Sequence, residues 1–217
     1  MTISIELIVL HYTKFGENSL ILHTLSREYG RRGFITKIGK NKSLSKFLPL
    51  SIIEADITEN PKSSLWRAGN FISKAPLSSI RANMYKNSIC LFLSEVLYRI
   101  IKDGSNEEGL FDWCTKMILT LDAIESDFSN YHIRFLIELA AALGFSPSLT
   151  EIAPFCRNNA DKVGLFMSES LGESMLIPLK GEERNQLCED LLRYLEFHTE
   201  SSINIQSLKV LRELYKD

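Results

Sequence analysis

The fold of this chain is decided first by residues 3–11, which read ISIELIVLH. Apolar side chains alternate with polar ones in the first half of this segment, and towards its end both sets of positions become apolar. A period of two is typical of a β-strand, because successive side chains of a strand point to opposite faces of the sheet. The segment therefore predicts a strand at the front of the chain.

Four further β-rich runs follow the first one, with polar or glycine-containing turns between them. They cover residues 19–25, 33–38, 49–57 and 65–72. Gly30 falls in one of the turns, where a residue without a side chain can adopt a positive φ. Five short strands without a convincing helix predict a small antiparallel barrel, although an SH3-like barrel or an open sheet would give much the same pattern.

The apolar period changes after residue 75, and from there on it is helical. The predicted helices cover residues 85–100, 110–124 and 127–143, with two more around residues 187–195 and 205–214. Residues 146–161 have an irregular pattern, and residues 162–178 predict a short hairpin.

These patterns predict an α+β protein with two domains. The first is the barrel over residues 1–75, and the second is a mainly α-helical domain over residues 76–217 with an irregular or hairpin insertion near 145–178. A hydrophobic share of 45% and a charged share of 24% exclude a disordered or fibrous chain. No apolar run reaches the roughly 18 residues of a membrane span, and the N-terminus does not resemble a secretory signal. We therefore expect a cytoplasmic protein with no membrane partner.

The net charge of −2 hides a strong asymmetry between the two parts of the chain. Residues 1–80 carry a net charge of +5, and residues 81–217 carry −7. Within residues 27–46, a single acid, Glu28, accompanies seven basic residues. These basic residues are Arg27, Arg31, Arg32, Lys37, Lys40, Lys42 and Lys46.

Lysine and arginine side chains on a barrel strand and its loop are typical of a surface that binds the phosphates of nucleic acids. Aromatic residues that could stack on bases lie close by in the sequence, at Tyr12, Phe15, Tyr29, Phe34, Phe47 and Trp66. We expect Phe34 and Phe47 to fill the barrel core, and Tyr29 and Phe15 to be the better stacking candidates. The alternative is that the basic run is an ordinary solvated surface.

No catalytic or metal-binding motif accompanies these features. The four histidines are isolated in the sequence, and the phosphate-cradling, nucleophile-elbow and zinc-protease motifs are absent. The cysteines, at positions 90, 114, 156 and 188, form no Cys-x-x-Cys pair, so we expect buried thiols and no metal site. The sequence therefore argues against an enzyme.

Several segments together resemble a known family. The chain contains Gly16-Glu17-Asn18-Ser19, then Ser26-Arg27-Glu28-Tyr29-Gly30, then the basic loop Gly39-Lys40-Asn41-Lys42-Ser43. Further matches lie at residues 134–139, 143–147 and 206–211. In this order they resemble the bacterial RecO recombination mediators, and the resemblance spans nearly the whole chain.

The resemblance implies an N-terminal OB-fold, a helical second domain and a function in DNA repair and homologous recombination. Such proteins bind single- and double-stranded DNA, anneal complementary strands and, with RecR, help to load RecA onto DNA coated by the single-stranded-DNA-binding protein. Members of the family often carry a small zinc element with two Cys-x-x-Cys pairs, but residues 145–178 of this chain contain only Cys156. We therefore expect no cofactor, with hydrophobic packing of the predicted hairpin in place of zinc.

The resemblance also suggests a protein-binding site on the acidic helical domain. Arg134 matches an arginine of the family and could bind the terminal carboxylate of the acidic tail of the single-stranded-DNA-binding protein, with Leu143 and Phe145 as pocket walls. Alternatively, Arg134 forms an ion pair with Glu138 one helical turn away.

Two other functions remain open from the sequence alone. One is an OB-fold module that binds RNA or acts in translation, and the other is a protein scaffold without nucleic-acid binding.

Overall fold

A computed structural model describes residues 2–39, 44–63, 65–145, 147–156 and 159–215 of the chain. Its front part is a closed five-stranded barrel. The strands are β1 (Thr2–Phe15), β2 (Ser19–Ser26), β3 (Gly30–Lys37), β4 (Ile52–Thr58) and β5 (Trp66–Ser73). Neighbouring strands follow the order β1-β2-β3-β5-β4, and the parallel pairing of β3 with β5 closes the barrel. This architecture confirms the predicted OB-fold barrel.

The alternation seen at the start of the sequence fills the barrel core. Ile5, Leu7 and Val9 of β1 point inward and are buried with Phe34 and Phe47, as predicted for these two aromatic residues. The other face of β1 is apolar as well because helical residues of the same compact unit cover it. Ser94, for example, donates a hydrogen bond from its Oγ to the carbonyl of Leu10.

The remainder of the described chain is helical apart from connecting loops, which confirms the α+β class. A short 3₁₀ turn, Ser45–Phe47, precedes β4. The helices are α1 (Ser78–Ala82), α2 (Met84–Ile100), α3 (Leu110–Ala123), α4 (Tyr131–Ala142), α5 (Leu149–Ile152), α6 (Ala160–Ser168), α7 (Leu171–Met175), α8 (Gly181–Thr199) and α9 (Ser207–Leu214). Among the described residues, no helix has the length and apolar character needed to cross a membrane.

Internal contacts divide the chain into two compact units. The first comprises Met1–Ser78 with Ser94–Ile118, and the second comprises Ser79–Leu93 with Leu119–Asp217. The division predicted at residue 75 follows the change from strands to helices. The first unit extends beyond that change because residues 94–118 contact the barrel, for example through the Arg31 N–H, which donates to the Ser105 carbonyl, and through the Arg27–Asp112 ion pair.

The hairpin predicted for residues 162–178 is wrong, because helices α6 and α7 occupy this segment. Val163 and Phe166 are buried three residues apart, as on one face of a helix. Ser170 caps α7 by accepting a hydrogen bond from the backbone N–H of Glu173, whose carboxylate accepts one from the N–H of Ser170. This Ser-x-x-Glu capping box is a helix-start signal that the sequence analysis missed.

The side chain of Asn130, which immediately precedes α4, binds the backbone of the segment that contains α7. The buried Asn130 side chain donates from its Nδ2 to the carbonyls of Ser174 (3.2 Å), Met175 (3.4 Å) and Ile177 (2.8 Å). Arg184 Nε in turn donates to Asn130 Oδ1 at 3.0 Å. These polar contacts, and not hydrophobic packing alone, hold the segment on α4.

A buried histidine next to Asn130 makes the second unit sensitive to acid. Burial, with a smaller contribution from Arg184, lowers the pKa of His132 from 6.5 to about 3. The ring lies between Phe92 and Tyr215, with centroids 5.9 and 6.3 Å away. The folded chain therefore holds a neutral imidazole.

We expect the free energy of unfolding to fall as the pH decreases below about 6.5. In that range the unfolded chain binds a proton at His132 while the folded chain does not, so protonation favours unfolding. At pH 5 the loss attributable to His132 is about 2 kcal/mol relative to pH 7. Urea unfolding at the two pH values measures it. His132→Phe should make the decline smaller, and an unchanged decline in this variant would contradict the assignment.

Candidate nucleic-acid interface

The structure separates four of the predicted basic residues into two sets, Arg27 with Arg31 and Lys37 with Lys46, and Arg32, which packs on Trp66, belongs to neither. Arg27 belongs to the set that joins the barrel to residues 94–118. Its Nη2 lies 2.6 Å from Asp112 Oδ1, and its guanidinium lies 4.8 Å from the ring centre of Phe111. The hydrogen bond from Arg27 holds the pKa of Asp112 below its ordinary value. About half of the Arg27 side chain is exposed, so this ion pair is solvated and contributes little to stability.

Arg31 belongs to the same set and is more deeply engaged. Its Nη1 donates to the carbonyl of Ile101 at 2.8 Å, and its guanidinium lies 4.6 Å from the ring centre of Tyr98. Its backbone N–H donates to the carbonyl of Ser105 at 3.0 Å, and its carbonyl accepts from Gly104 N–H at 2.8 Å. The structure therefore gives Arg31 an internal role, and its predicted contact with nucleic acid stays a prediction.

Two histidines lie against Tyr98, the aromatic residue that Arg31 also contacts. His11 and His23 lie with ring centroids 5.9 Å apart, and each contacts the ring of Tyr98. Burial lowers the pKa of both imidazoles, and the nearby Arg99 and Arg31 act in the same direction. His11 remains exposed, and Nε2 of the half-buried His23 lies within hydrogen-bond distance of Thr13 Oγ1, at 3.1 Å.

Arg32 and Tyr29 meet over Trp66 at the start of β5. The Arg32 guanidinium lies 3.9 Å from the centre of the Trp66 ring system, and Tyr29 makes an edge-to-face contact with Trp66 at 4.9 Å. Arg32 Nη1 is buried and has no hydrogen-bond partner among the residues that the structure describes. Because its ring packs on Trp66 and the barrel core, Tyr29 is less accessible for base stacking than the sequence analysis expected.

The second set of basic residues borders a groove of about 630 Å³ on the barrel. Its lining includes Lys37 at the end of β3, Lys46 in the 3₁₀ turn, and Asn70, Phe71 and Ile72 of β5. Lys46 Nζ donates to the carbonyl of Phe71 at 2.8 Å, which places its charge at the edge of the groove. The β5 residues were missed by the sequence analysis because the parallel β3–β5 pairing that brings them to Lys37 leaves no local signal.

A second groove, of about 400 Å³, lies beside the first. Lys14, Asn18, Ile38 and Leu44 are among its lining residues. Ile38 lines both grooves, so the two grooves adjoin at the residue that follows β3. Residues 40–43 form the predicted basic loop. The predicted residues Lys40 and Lys42 belong to this loop and lie outside the described residues. Phe15, the other predicted stacking residue, is exposed at the end of β1.

The three residues predicted to form a peptide pocket do not converge on one. Arg134 Nε pairs with Glu138 Oε1 at 2.6 Å, so the ion pair that the spacing allowed is present. Arg134 Nη1 also donates to the carbonyls of Phe166 and Glu169, and only 15% of the side chain is exposed. A peptide carboxylate would have to replace these internal partners.

Leu143 and Phe145 lie at the other end of α4. A helix rises 1.5 Å per residue, which separates Arg134 from Leu143 by about 13 Å along the axis. The ring of Phe145 packs near His198 of α8, with centroids 5.4 Å apart. The pocket formed by these three residues stays a prediction.

Residues 145–178 do not supply the two Cys-x-x-Cys pairs of the zinc element that the family resemblance implies. Cys156, the single cysteine of residues 145–178, is buried, and burial raises the pKa of its thiol to about 12. Zinc binds the thiolate and needs four ligands. Within the described part of the chain, no group of three or more His, Cys, Asp or Glu residues could hold a metal ion.

Comparison with known proteins agrees with the fold and with the motifs. The family model described as Recombination protein O N terminal matches residues 1–67, and the one described as Recombination protein O C terminal matches residues 81–154. Among curated relatives, the DNA repair protein RecO of Bacteroides fragilis is 29% identical over 96% of this chain and 97% of its own length. The proteins of that name from Phocaeicola vulgatus and Flavobacterium johnsoniae are 28% and 27% identical, over 96% and 99% of this chain and 97% and 100% of their own lengths. The chain therefore belongs to the RecO family of DNA repair and recombination proteins.

Proposed function

We propose that this chain is a non-enzymatic recombination mediator that binds single- and double-stranded DNA through its barrel and anneals complementary strands. The observation that carries the proposal is the pair of grooves on an OB-fold, bordered by Lys14, Lys37 and Lys46. In the sequence, Lys40 and Lys42 follow Ile38, which lines both grooves. The three lysines that border the grooves outnumber Glu17, which also lines the second one, so positive charge prevails on a fold whose surface suits extended nucleic acids.

The chemistry of annealing needs no catalytic group. Ammonium groups that bind phosphates release counterions and lower the repulsion between two DNA strands. Phosphate contacts carry no sequence information, so the same surface can hold any two complementary strands. Base pairing between strands held close together then completes the reaction without covalent chemistry.

We further propose that the acidic helical part serves protein partners. The family resemblance implies RecR and the tail of the single-stranded-DNA-binding protein as partners, with RecA loaded indirectly onto the coated DNA. A cytoplasmic location near the nucleoid follows from the same role. Annealing of complementary oligonucleotides precoated with the cognate single-stranded-DNA-binding protein tests the mediator role as a whole.

Replacing Lys37, Lys40 and Lys42 with glutamate should weaken DNA binding strongly. Each lost phosphate contact reduces the slope of log affinity against log salt by about 0.7 to 0.9, so we expect a slope smaller by about 2. At 0.1 M salt the affinity should fall by about 10- to 100-fold. Fluorescence anisotropy titrations over a salt series, with single-stranded and duplex oligonucleotides, measure both quantities.

A matched control has the same change in charge elsewhere. Lys116, Lys162 and Lys209 lie in helices α3, α6 and α9, outside the barrel, and their replacement with glutamate should leave the salt slope unchanged. Equal losses in both triple variants would show that only the total charge matters and would contradict the proposed surface. A preference for RNA over DNA of equal sequence would favour the RNA-binding alternative.

A further inference from the structure

We propose that the groove between β5 and the Lys37 and Lys46 side chains holds an unpaired base, and that it thereby favours single-stranded over duplex DNA. This inference rests on the proposed function, since it assigns a substrate form to one part of the DNA-binding surface. The groove has a volume of about 630 Å³, within the range of sites that enclose small organic molecules.

The apolar part of the groove lining, here called its floor, consists of Ile38, Phe47, Phe71 and Ile72, beside the polar Thr36, Ser45 and Asn70. Ile72 has 58% of its surface exposed, although it belongs to a barrel strand. Phe71, next to it, is held by an edge-to-face contact with the buried Phe47, at 4.9 Å and 85°. A ring fixed in this way offers an ordered contact surface, so little conformational freedom is lost when a ligand binds.

The backbone at this point leaves room for a ligand. A Cβ atom at Gly69, which lines the groove, would meet no other heavy atom within 4 Å. The following residue, Asn70, has a φ of 51°, and its Nδ2 donates to Asp56 Oδ2 at 2.8 Å. The pairing of β4 with β5 changes register here, between Glu54 and Asp56. Irregular strand segments of this kind redirect side chains and are common beside binding sites.

The charges at the edge of the groove fit a nucleotide. Lys37 lies at one side, and Lys46 is positioned by its hydrogen bond to the Phe71 carbonyl. An ammonium has three donors, so this one bond does not exhaust the capacity of Lys46 to bind a phosphate. An apolar floor with cations at its edge is complementary to a flat base attached to a phosphate chain.

Only single-stranded DNA can place the face of a base against Phe71 and Ile72. In a duplex, each base is stacked between its neighbours, so its faces cannot reach Phe71 or Ile72 without unpairing. The lysines, in contrast, can bind phosphates of either form. The second groove, lined by Lys14 and Glu17 among others, adjoins the first at Ile38. A long strand can extend from the first groove into the second, whereas the end of an acidic peptide would need only one of the two grooves.

The test uses Ile72→Ser in the full chain, with a labelled 20-nucleotide oligothymidylate and a 20-base-pair duplex as probes. We expect the affinity for the single strand to fall about tenfold and the affinity for the duplex to change less than twofold. Gly69→Val, which adds bulk in the groove and removes no contact, should act in the same direction. Val210→Ser, an exposed apolar residue of α9, is the control and should change neither affinity.

The possible results separate this inference from the proposed function. Equal losses for both probes, or no loss for the single strand, would overturn the base-binding groove and leave DNA binding intact. Failure of the unaltered chain to bind either probe would overturn the proposed function itself. If an acidic peptide bound the unaltered chain but not Ile72→Ser, while DNA affinities were equal in the two, the groove would belong to a peptide and the inference would be wrong.

Discussion

Gly30→Ala is expected to destabilise the barrel unit by about 3–4 kcal/mol. Gly30 has a φ of +58°, and a Cβ atom there would lie 1.9 Å from the carbonyl oxygen of Ser105. The left-handed conformation alone costs a residue with a side chain about 1–2 kcal/mol. The clash would also separate the loop at residues 102–106 from β3 and break the two backbone hydrogen bonds of Arg31, worth about 1 kcal/mol each.

Gly16→Ala is the matched control for this prediction. Gly16 has a φ of +64°, but a Cβ atom there would meet no heavy atom within 4 Å. The Gly16→Ala variant should therefore lose only about 1–2 kcal/mol of its free energy of unfolding, which is the conformational cost of the left-handed backbone. Chemical denaturation of both variants measures the difference. Equal losses at the two glycines would mean that the loop at residues 102–106 does not depend on close approach to β3.

Asn130→Ala is expected to lower the free energy of unfolding of the second unit by about 3–4 kcal/mol. The substitution removes the donor to the carbonyls of Ser174, Met175 and Ile177, and it removes the acceptor of Arg184 Nε. A buried polar group left without a partner costs about 1–3 kcal/mol, and a charged one costs more. Cleavage by a protease near residues 170–178 should become faster, because this segment loses its attachment to α4.

Two controls test whether the hydrogen bonds of Asn130 account for the loss of stability. Asn87→Ala changes an exposed asparagine of α2 and should leave the stability within about 0.5 kcal/mol. Treatment of the unaltered chain with a metal chelator should not change its melting temperature, since the Asn130 side chain binds the segment directly. A large drop in melting temperature with chelator would contradict this account, as would an Asn130→Ala variant as stable as the unaltered chain.

Much of the barrel could be predicted from the sequence because strand formation follows local patterns. The alternation over residues 3–11 predicted β1, and Phe34 and Phe47 were correctly expected in the core. The helical period after residue 75 predicted α2, α3 and α4, and Gly144 follows the last of these with a φ of 86°. The segment of α6 and α7 was missed because short apolar runs fit a strand and a helix equally well, so only the Ser170 capping box distinguished them.

The five strands, the helical second part, the buried thiols and the asymmetry of charge were predictable, because each depends on residue type and spacing along one segment. Which basic residues face a groove, and which attach the barrel to residues 94–118, depends on the packing of distant segments. Arg31 and Lys37 lie on the same strand, yet one binds the Ile101 carbonyl and the other borders the β5 groove. That difference arises from contacts between residues more than thirty positions apart in the chain, and no local pattern encodes which distant surface a side chain will meet.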